Sequence, residues 1–396
     1  MKRLSTGLAT GLAVTVGAAL VLTACGTDST KPGKEGDPRA LAVSSTDDEC
    51  DVSAAEAPAG TLTFAVTNDG NQVTEFYLLA EDGLRIIGEV EGIGPQTSKT
   101  LTVNAPAGSY VTACKPGMVG EGIRADFAVA ESDDAPDVSE SDQELIDQAQ
   151  ANYAAYVEDQ SAQLIEKTRE FVELYQAGED DEARALYPVA RTHWERIETV
   201  AESFGDLDPK TDAREADVDF AAGEKWTGWH VIEKDLWPAD AEASYQPLTP
   251  KQRTFYADDL LANTTELDDR IQAGLEYPID AIANGSRGLL EEVALGKITG
   301  EEEIWSHTDL WAFQANVDGA KVAFEGVKVL LEENDPELAA QLTDRFADLQ
   351  ALLDTFREGD GFVYYDQLSE DDVRQLAAAV DALSEPLSRL TAAVVA

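Results

Sequence analysis

The apolar residues of this chain change period across residues 131–141, so the segments on either side are expected to fold as different structural classes. From about Ala42 to Val129 apolar and polar residues alternate, as in TLTFAVTN, and the pattern continues through EFYLLAEDG and TSKTLTVNAPAGSYVTAC. A period of two sends successive side chains to opposite faces of a strand, and Asn68-Asp69-Gly70 and Pro106-Ala107-Gly108 supply reversals. Some seven or eight short strands are expected, a small β-sandwich over residues 42–130. Residues 131–141, ESDDAPDVSES, are acidic and contain proline, and read as a linker. From residue 142 to 396 the texture is helical: QELIDQAQANYAAYVEDQSAQLIEKTREFVELYQ, DDEARALYPVARTHWERIETVAESF and PELAAQLTDRFADLQALLDTFRE repeat their apolar positions every three to four residues. That much helix predicts an all-α double bundle, so the whole is a multidomain α+β chain.

The N-terminus carries a targeting signal. Lys2 and Arg3 precede an apolar run from Leu8 to Leu22 that is too short for a secure membrane span. Leu22-Thr23-Ala24-Cys25 resembles the lipobox of bacterial lipoproteins, in which the signal is cut before the cysteine and the cysteine is acylated. On this reading residues 1–24 are removed, residues 25–41 form a polar tether, and a lipid on Cys25 anchors the protein to the membrane. An ordinary signal peptide with an unrelated cysteine is the alternative. Loss of Lys2 and Arg3 leaves 27 basic against 77 acidic residues, a net charge of −50. Such a surface excludes nucleic acid and electrostatic docking on anionic headgroups, and it concentrates cations. Solubility or salt tolerance would produce the same composition. The two further cysteines, Cys50 and Cys114, most often pair as a disulfide in an exported chain.

Chemistry concentrates in residues 193–237. In WTGWHVIEKDLW (226–237), a helical wheel places Trp226, Trp229, His230, Glu233 and Trp237 on one stripe and Asp235 opposite. A carboxylate on a core-facing stripe needs a cation or strong donors. His230 and Glu233, three residues apart, can share a metal ion as in di-metal bundles, or simply hydrogen-bond to each other. In THWERIET, His193 falls with Leu186, Val189, Ile197 and Val200 and is expected in the core. Glu195 and Glu198 fall on the other side, which is either solvated or the inner face of a middle helix. The following acidic loop offers Asp206, Asp208 and Asp212 without the glycine and final glutamate of an EF-hand. Carboxylates with one imidazole suit ferric or ferrous iron, manganese or zinc better than cuprous copper. Ser306-His307-Thr308-Asp309 predicts a helix start with Ser306 as N-cap and Asp309 at N3, leaving His307 in a solvated first turn or as a second-site ligand.

THWERIE, SFGDLDPKTDARE, WTGWHVIEKDLW and SHTDLWAFQANVDG, in this order after a β region, resemble the EfeO family of exported iron-uptake components. The resemblance runs from about residue 45 to the end. It implies a cupredoxin-like β-sandwich joined to an imelysin-like double bundle. It also implies a His-x-x-Glu metal motif at His230 and Glu233, with Glu195 and Asp212 as acidic ligands and Glu198 as a further one. The implied function is extracytoplasmic iron binding for an EfeUOB-type system, alongside an iron permease and a haem peroxidase-like partner. Many members are soluble periplasmic proteins, so the lipobox departs from the pattern and points to a cell without an outer membrane. In the β region a type 1 copper site would need two histidines and a cysteine, yet the first histidine of the chain is His193. The resemblance leaves Cys50, Cys114, Glu75 and Met118 as positions for an extra copper or iron ion, with a disulfide and Met118 packing as the alternative.

Two other functions compete with that of a non-enzymatic binding component. A zinc metallopeptidase of the imelysin-like group is one, but the His-Glu-x-x-His that binds zinc and supplies a base is absent. A ligand-binding lipoprotein whose tryptophans stack on sugars is the other, although here the tryptophans share a helical period with Leu and Ile.

Overall fold

The computed structural model describes residues 36–132, 139–221 and 223–395, so Cys25 and the signal segment lie outside the described residues. Among the described residues nine strands precede the first helix: β1 Ala40–Ser45, β2 Cys50–Val52, β3 Glu56–Pro58, β4 Gly60–Asn68, β5 Thr74–Ala80, β6 Ile86–Ile93, β7 Ser98–Ala105, β8 Gly108–Cys114 and β9 Ile123–Ala130. They form two sheets, in the orders β2-β1-β4-β7 and β3-β9-β8-β5-β6. Strand β1 runs parallel to β4 and β3 parallel to β9. The count exceeds the sequence expectation because β2 and β3 have three residues each, too few to show alternation.

The alternation of β4 buries Leu62, Phe64 and Val66 in the core between the sheets. Strand β5 is buried on both faces: Phe76 and Leu78 enter that core, while Tyr77 and Leu79 join Ala113 in a separate cluster. The run Phe76-Tyr77-Leu78-Leu79 thus departs from the alternation expected of this stretch, because a strand covered on both faces needs apolar side chains on both. Cys50 on β2 and Cys114 on β8 form a disulfide between the two sheets. The bond spans a sequence separation of 64, so its reduction should cost about 2–4 kcal/mol, read as a lower denaturant midpoint. Peptide mapping without reductant should recover the linked pair. Two free thiols in the purified chain would contradict it.

The helices are α1 Glu140–Ala177, α2 Asp180–Glu195, α3 Glu198–Glu202, α4 Asp208–Thr211, α5 Trp229–Leu236, α6 Pro250–Gln272, α7 Ile279–Leu295, α8 Asp309–Asn334, α9 Pro336–Leu353, α10 Glu370–Leu387 and α11 Leu390–Val394. Local chemistry sets several of their ends. Ser139 caps α1, which closes on the left-handed Gly178. Thr249 with Gln252, and Ser369 with Asp372, form capping boxes on α6 and α10. Helix α1 packs on α2 and α6, while α7, α9 and α10 pack together with α8. Helix α8 also touches α1 and α2 and so joins the two groups. No helix among the described residues is long and apolar enough to cross a membrane.

Two helix starts differ from expectation. The stretch 226–237 is helical only from Trp229 to Leu236, because Gly228 takes a φ of 92°. All eight helical residues are buried, including Asp235, which accepts hydrogen bonds from Tyr175 Oη (2.8 Å) and Arg253 Nε (2.7 Å). Helix α8 starts at Asp309 and not after Ser306, whose hydroxyl instead meets Thr308 Oγ1 (2.9 Å) and Glu303 (3.3 Å). His307 is therefore not in a first turn. It is half-buried in the preceding loop with a left-handed φ of 57°.

A polar stripe on α7 fastens the helices to β7 and β6, each the edge strand of its sheet. Asp280 accepts from Asn104 N (2.7 Å), Asn284 donates to Thr102 O (2.9 Å), and Arg287 donates to Thr100 O (3.0 Å) and Glu89 O (2.8 Å). Backbone groups left open at a sheet edge are thereby satisfied, and the chain from Pro38 onward forms one compact unit.

Candidate metal centre

Four chain breaks converge on one buried point. Helix α2 ends at Glu195, where Asn316 of α8 donates to the Glu195 carbonyl (2.7 Å) and to Glu198 Oε2 (2.8 Å). Gly319 admits that approach, since a Cβ there would lie 2.4 Å from the Arg196 carbonyl oxygen. Asp212 follows the short α4, and Gly228 packs against it: a Cβ on Gly228 would lie 2.1 Å from the Thr211 carbonyl oxygen. Gly228 thus lets His230, in the first turn of α5, face Asp212. Glu302 and Glu303 arrive from the loop between α7 and α8.

His230 is fully buried. Its Nδ1 lies 2.9 Å from Glu233 Oε2, and its Nε2 makes no hydrogen bond but lies 3.4 Å from Glu302 Oε1 and 3.6 Å from Asp212 Oδ1. Glu233 is locked by backbone donors, with Trp305 N at 3.1 Å and Ser306 N at 2.8 Å on its Oε1. It therefore orients the ring and sets its tautomer. Asp212, His230 and Glu302 each present a ligand atom within 4.8 Å of one another, as do His230, Glu233 and Glu303. Glu198, Glu202 and Glu292 make a third such group.

Two buried cations hold the carboxylates. Arg191 pairs with Asp212, Glu195 and Glu303, and lies 3.5 Å from Glu302. Lys297 Nζ lies 3.2 Å from Glu195 and 2.9 Å from Glu198. Burial and Arg191 act to lower the His230 pKa, yet the neighbouring carboxylates of Glu233, Glu302 and Glu303 raise it well above the ordinary value. Burial acts to raise Glu302, but Lys297, His230 and Arg191 together hold it well below the carboxylate range. Burial prevails at Glu303, which is pushed up to about 8.

Aromatic rings pack on the side of the centre away from solvent. Trp229 packs against Phe171 and Tyr187 in the core. Trp226, Trp305 and Tyr245 surround the Lys234 ammonium at 5.7, 5.1 and 5.3 Å. The rings that could have stacked on a sugar are committed to these partners.

Of the residues singled out from sequence, His230, Glu233, Asp212 and Glu195 meet around Arg191. Glu198 stands apart with Lys297 and the third carboxylate group, and neither it nor Glu195 is solvated. Asp206 pairs with Arg270 on the surface side, and Asp208 is pushed up to about 7 by burial, Asp212 and Glu302. His193 is buried with its Nδ1 3.0 Å from Gln160 Oε1, apart from the centre. Sequence reasoning missed Glu302, Glu303, Arg191 and Lys297. In sequence, Glu301-Glu302-Glu303 reads as a solvated charge run, and only its position just before SHTDLW hinted otherwise.

In the β region Glu75 is buried, accepts from Tyr77 Oη (2.6 Å) and lies 3.5 Å from Lys115 Nζ. Met118 is half-buried at the end of the turn Pro116–Met118. With both sulfurs in the disulfide, Cys50 and Cys114 offer no thiolate there. A cleft of about 510 Å³ between this region and the helices is lined by Glu75, Met118, Glu91, Glu202, Asp212 and Glu302. Also on this cleft, Glu89 is pushed up to about 8 by burial and by Glu75 and Glu292. Folded Glu89 keeps its proton where the unfolded chain has lost it, so this contribution to stability falls as pH rises from about 4.5 to about 8. Denaturant midpoints measured at pH 5.5 and 8 should converge in Glu89→Gln relative to the unmodified chain. An unchanged difference would refute the assignment.

Comparison with known proteins agrees with this architecture. The helical region matches the imelysin family over residues 149–390. The protein is thus an imelysin-type helical protein preceded by a β-sandwich. The iron uptake system component EfeO of Escherichia coli strain K12 is 35% identical over 350 residues, covering 88% of this chain and 89% of that protein. EfeO proteins of Shigella flexneri and Escherichia coli O157:H7 match with the same identity and coverage. The chain belongs to the EfeO family.

Proposed function

We propose that the protein binds iron outside the cytoplasmic membrane as a component of an iron uptake system. The observation that carries this reading is the buried His230 Nε2, which has no hydrogen bond and faces the carboxylates of Asp212 and Glu302. A polar atom left so in a buried site is costly unless something fills the position. One imidazole and two carboxylates are a donor set for ferric or ferrous iron. His230, Asp212 and Glu302 hold the ion. Glu233 fixes the imidazole from behind, and Glu195 and Glu198 act through Arg191 and Lys297. The names of the EfeO relatives support iron as cargo.

Residues 42–130 form the cupredoxin-like domain and residues 142–396 the imelysin-like domain. A lipid on Cys25 holds the chain at the membrane beside an iron permease and a haem peroxidase-like partner. Cys25→Ser should move the protein from the membrane fraction to the soluble fraction. Equal fractionation of the two forms would remove the anchor.

The test is a titration of the purified, chelator-stripped chain with ferric iron, anaerobic ferrous iron and zinc, followed by metal analysis. Saturable binding of iron is expected. Absence of saturation with either iron species would refute the reading. Zinc-dependent hydrolysis of casein that disappears in Glu303→Gln would place the chain with the peptidases instead.

A further inference from the structure

The two oxygens that face His230 Nε2, Asp212 Oδ1 and Glu302 Oε1, are the same two that meet the Arg191 guanidinium. Arg191 has a second pair of partners, Glu195 Oε1 through Nη2 and Glu303 Oε1 through Nε. It is 1% exposed, so it has no solvated position to retreat to within this packing. An ion bound by Nε2 therefore competes with a resident cation for its carboxylates.

We propose that Arg191 is the specificity-determining residue of the centre, a built-in counter-cation that an incoming ion must displace from Asp212 and Glu302. This deepens the iron-binding reading and rests on it. On ion entry Nη1 releases Asp212 and Nη2 releases Glu302, while Glu195 and Glu303 keep the guanidinium beside the site. Ligand exchange of this kind moves no electrons. The planar fork of an arginine is matched to carboxylates, and in a buried site its pairing is strong. Only an ion that gains more from three short ligand bonds than the guanidinium loses can enter. Ferric iron, small and highly charged, meets that condition. Magnesium, which gives up its water reluctantly, and calcium, which prefers more and longer oxygen contacts, do not. Selectivity then comes from a competitor inside the protein and not from cavity size alone.

The full chain, the unmodified protein beside Arg191→Met and Arg191→Lys, is stripped of metal and titrated with ferric iron in competition with a chelator. Magnesium and calcium are then tested as competitors. Arg191→Met should bind iron about tenfold or more tighter, and magnesium or calcium at millimolar level should now compete. Its metal-free form should melt earlier, because four carboxylates lose their shared cation, and iron should raise its Tm more than that of the unmodified chain. Arg191→Lys keeps the charge but not the fork, so it should shift affinity in the same direction by less. It also serves if Arg191→Met does not fold without metal. An unmodified chain that binds iron through His230, while both variants bind it no better and discriminate as well, overturns this inference alone. An unmodified chain that binds no iron overturns both readings.

Discussion

His230→Ala should lower the iron affinity of the full chain by about 100-fold or more, on top of the stability the metal-free chain loses with a buried ring bonded to Glu233. Loss of the imidazole removes the single nitrogen donor, and substitutions even of groups behind a ligand cost about 10–100-fold. Glu302→Gln should approach the same loss. Glu233→Gln should fall in that 10–100-fold range, because the amide still occupies the space but no longer fixes the tautomer. His193→Ala is the control: it removes a buried ring bonded to Gln160 and should cost stability while leaving affinity alone. Competition with a coloured iron chelator measures all four. Should His230→Ala bind as the unmodified chain does while Glu292→Gln does not, the ion belongs to the Glu198, Glu202 and Glu292 group instead.

Lys297→Met should destabilise the metal-free chain by about 3–5 kcal/mol, the range for breaking a buried ion pair by removing one partner. The ammonium is fully buried and holds both Glu195 and Glu198, the latter with both oxygens at 2.9 and 3.1 Å. Methionine fills a similar volume, so the effect reads charge and not a cavity. Two carboxylates would be left with only Asn316 and Arg191 as donors. Adding Glu198→Gln to Lys297→Met should recover part of the loss, since one of the stranded charges is then gone. Urea unfolding in the presence of chelator gives both numbers. A cost below about 1 kcal/mol for Lys297→Met would mean that water reaches the pair and screens it, as at surface sites.

These experiments bear on groups that differ in how they could be seen. His230 and Glu233 were legible because a helical period put them among tryptophans, where polar residues are out of place. The double covering of β5 was passed over, because Phe76-Tyr77-Leu78-Leu79 lies in a region whose pattern reads as alternating. The β2 and β3 strands were not legible, because three residues carry no period. Glu302 and Glu303 were hidden for a different reason: three consecutive glutamates have no periodicity of their own, and their burial depends on the loop that returns from α7 to α8. Arg191 and Lys297 looked like ordinary charged positions on helices, yet both are buried by elements far away in the chain.

Local rules therefore sufficed for the order of the two regions and for the family to which the chain belongs, since each depends on neighbours in sequence or on motifs that survive as strings, whereas the cap they place at Ser306 does not form. The centre itself is a product of packing. Asp212, His230, Glu302 and Arg191 lie on four separate stretches, and they meet because Gly228 lets one loop sit on another and Asn316 of α8 pins the end of α2. Which carboxylate faces an ion, and which one faces a resident cation, follows from those long-range contacts. A linear pattern records a residue's own face, but the charge opposite it is set by whatever the fold brings there.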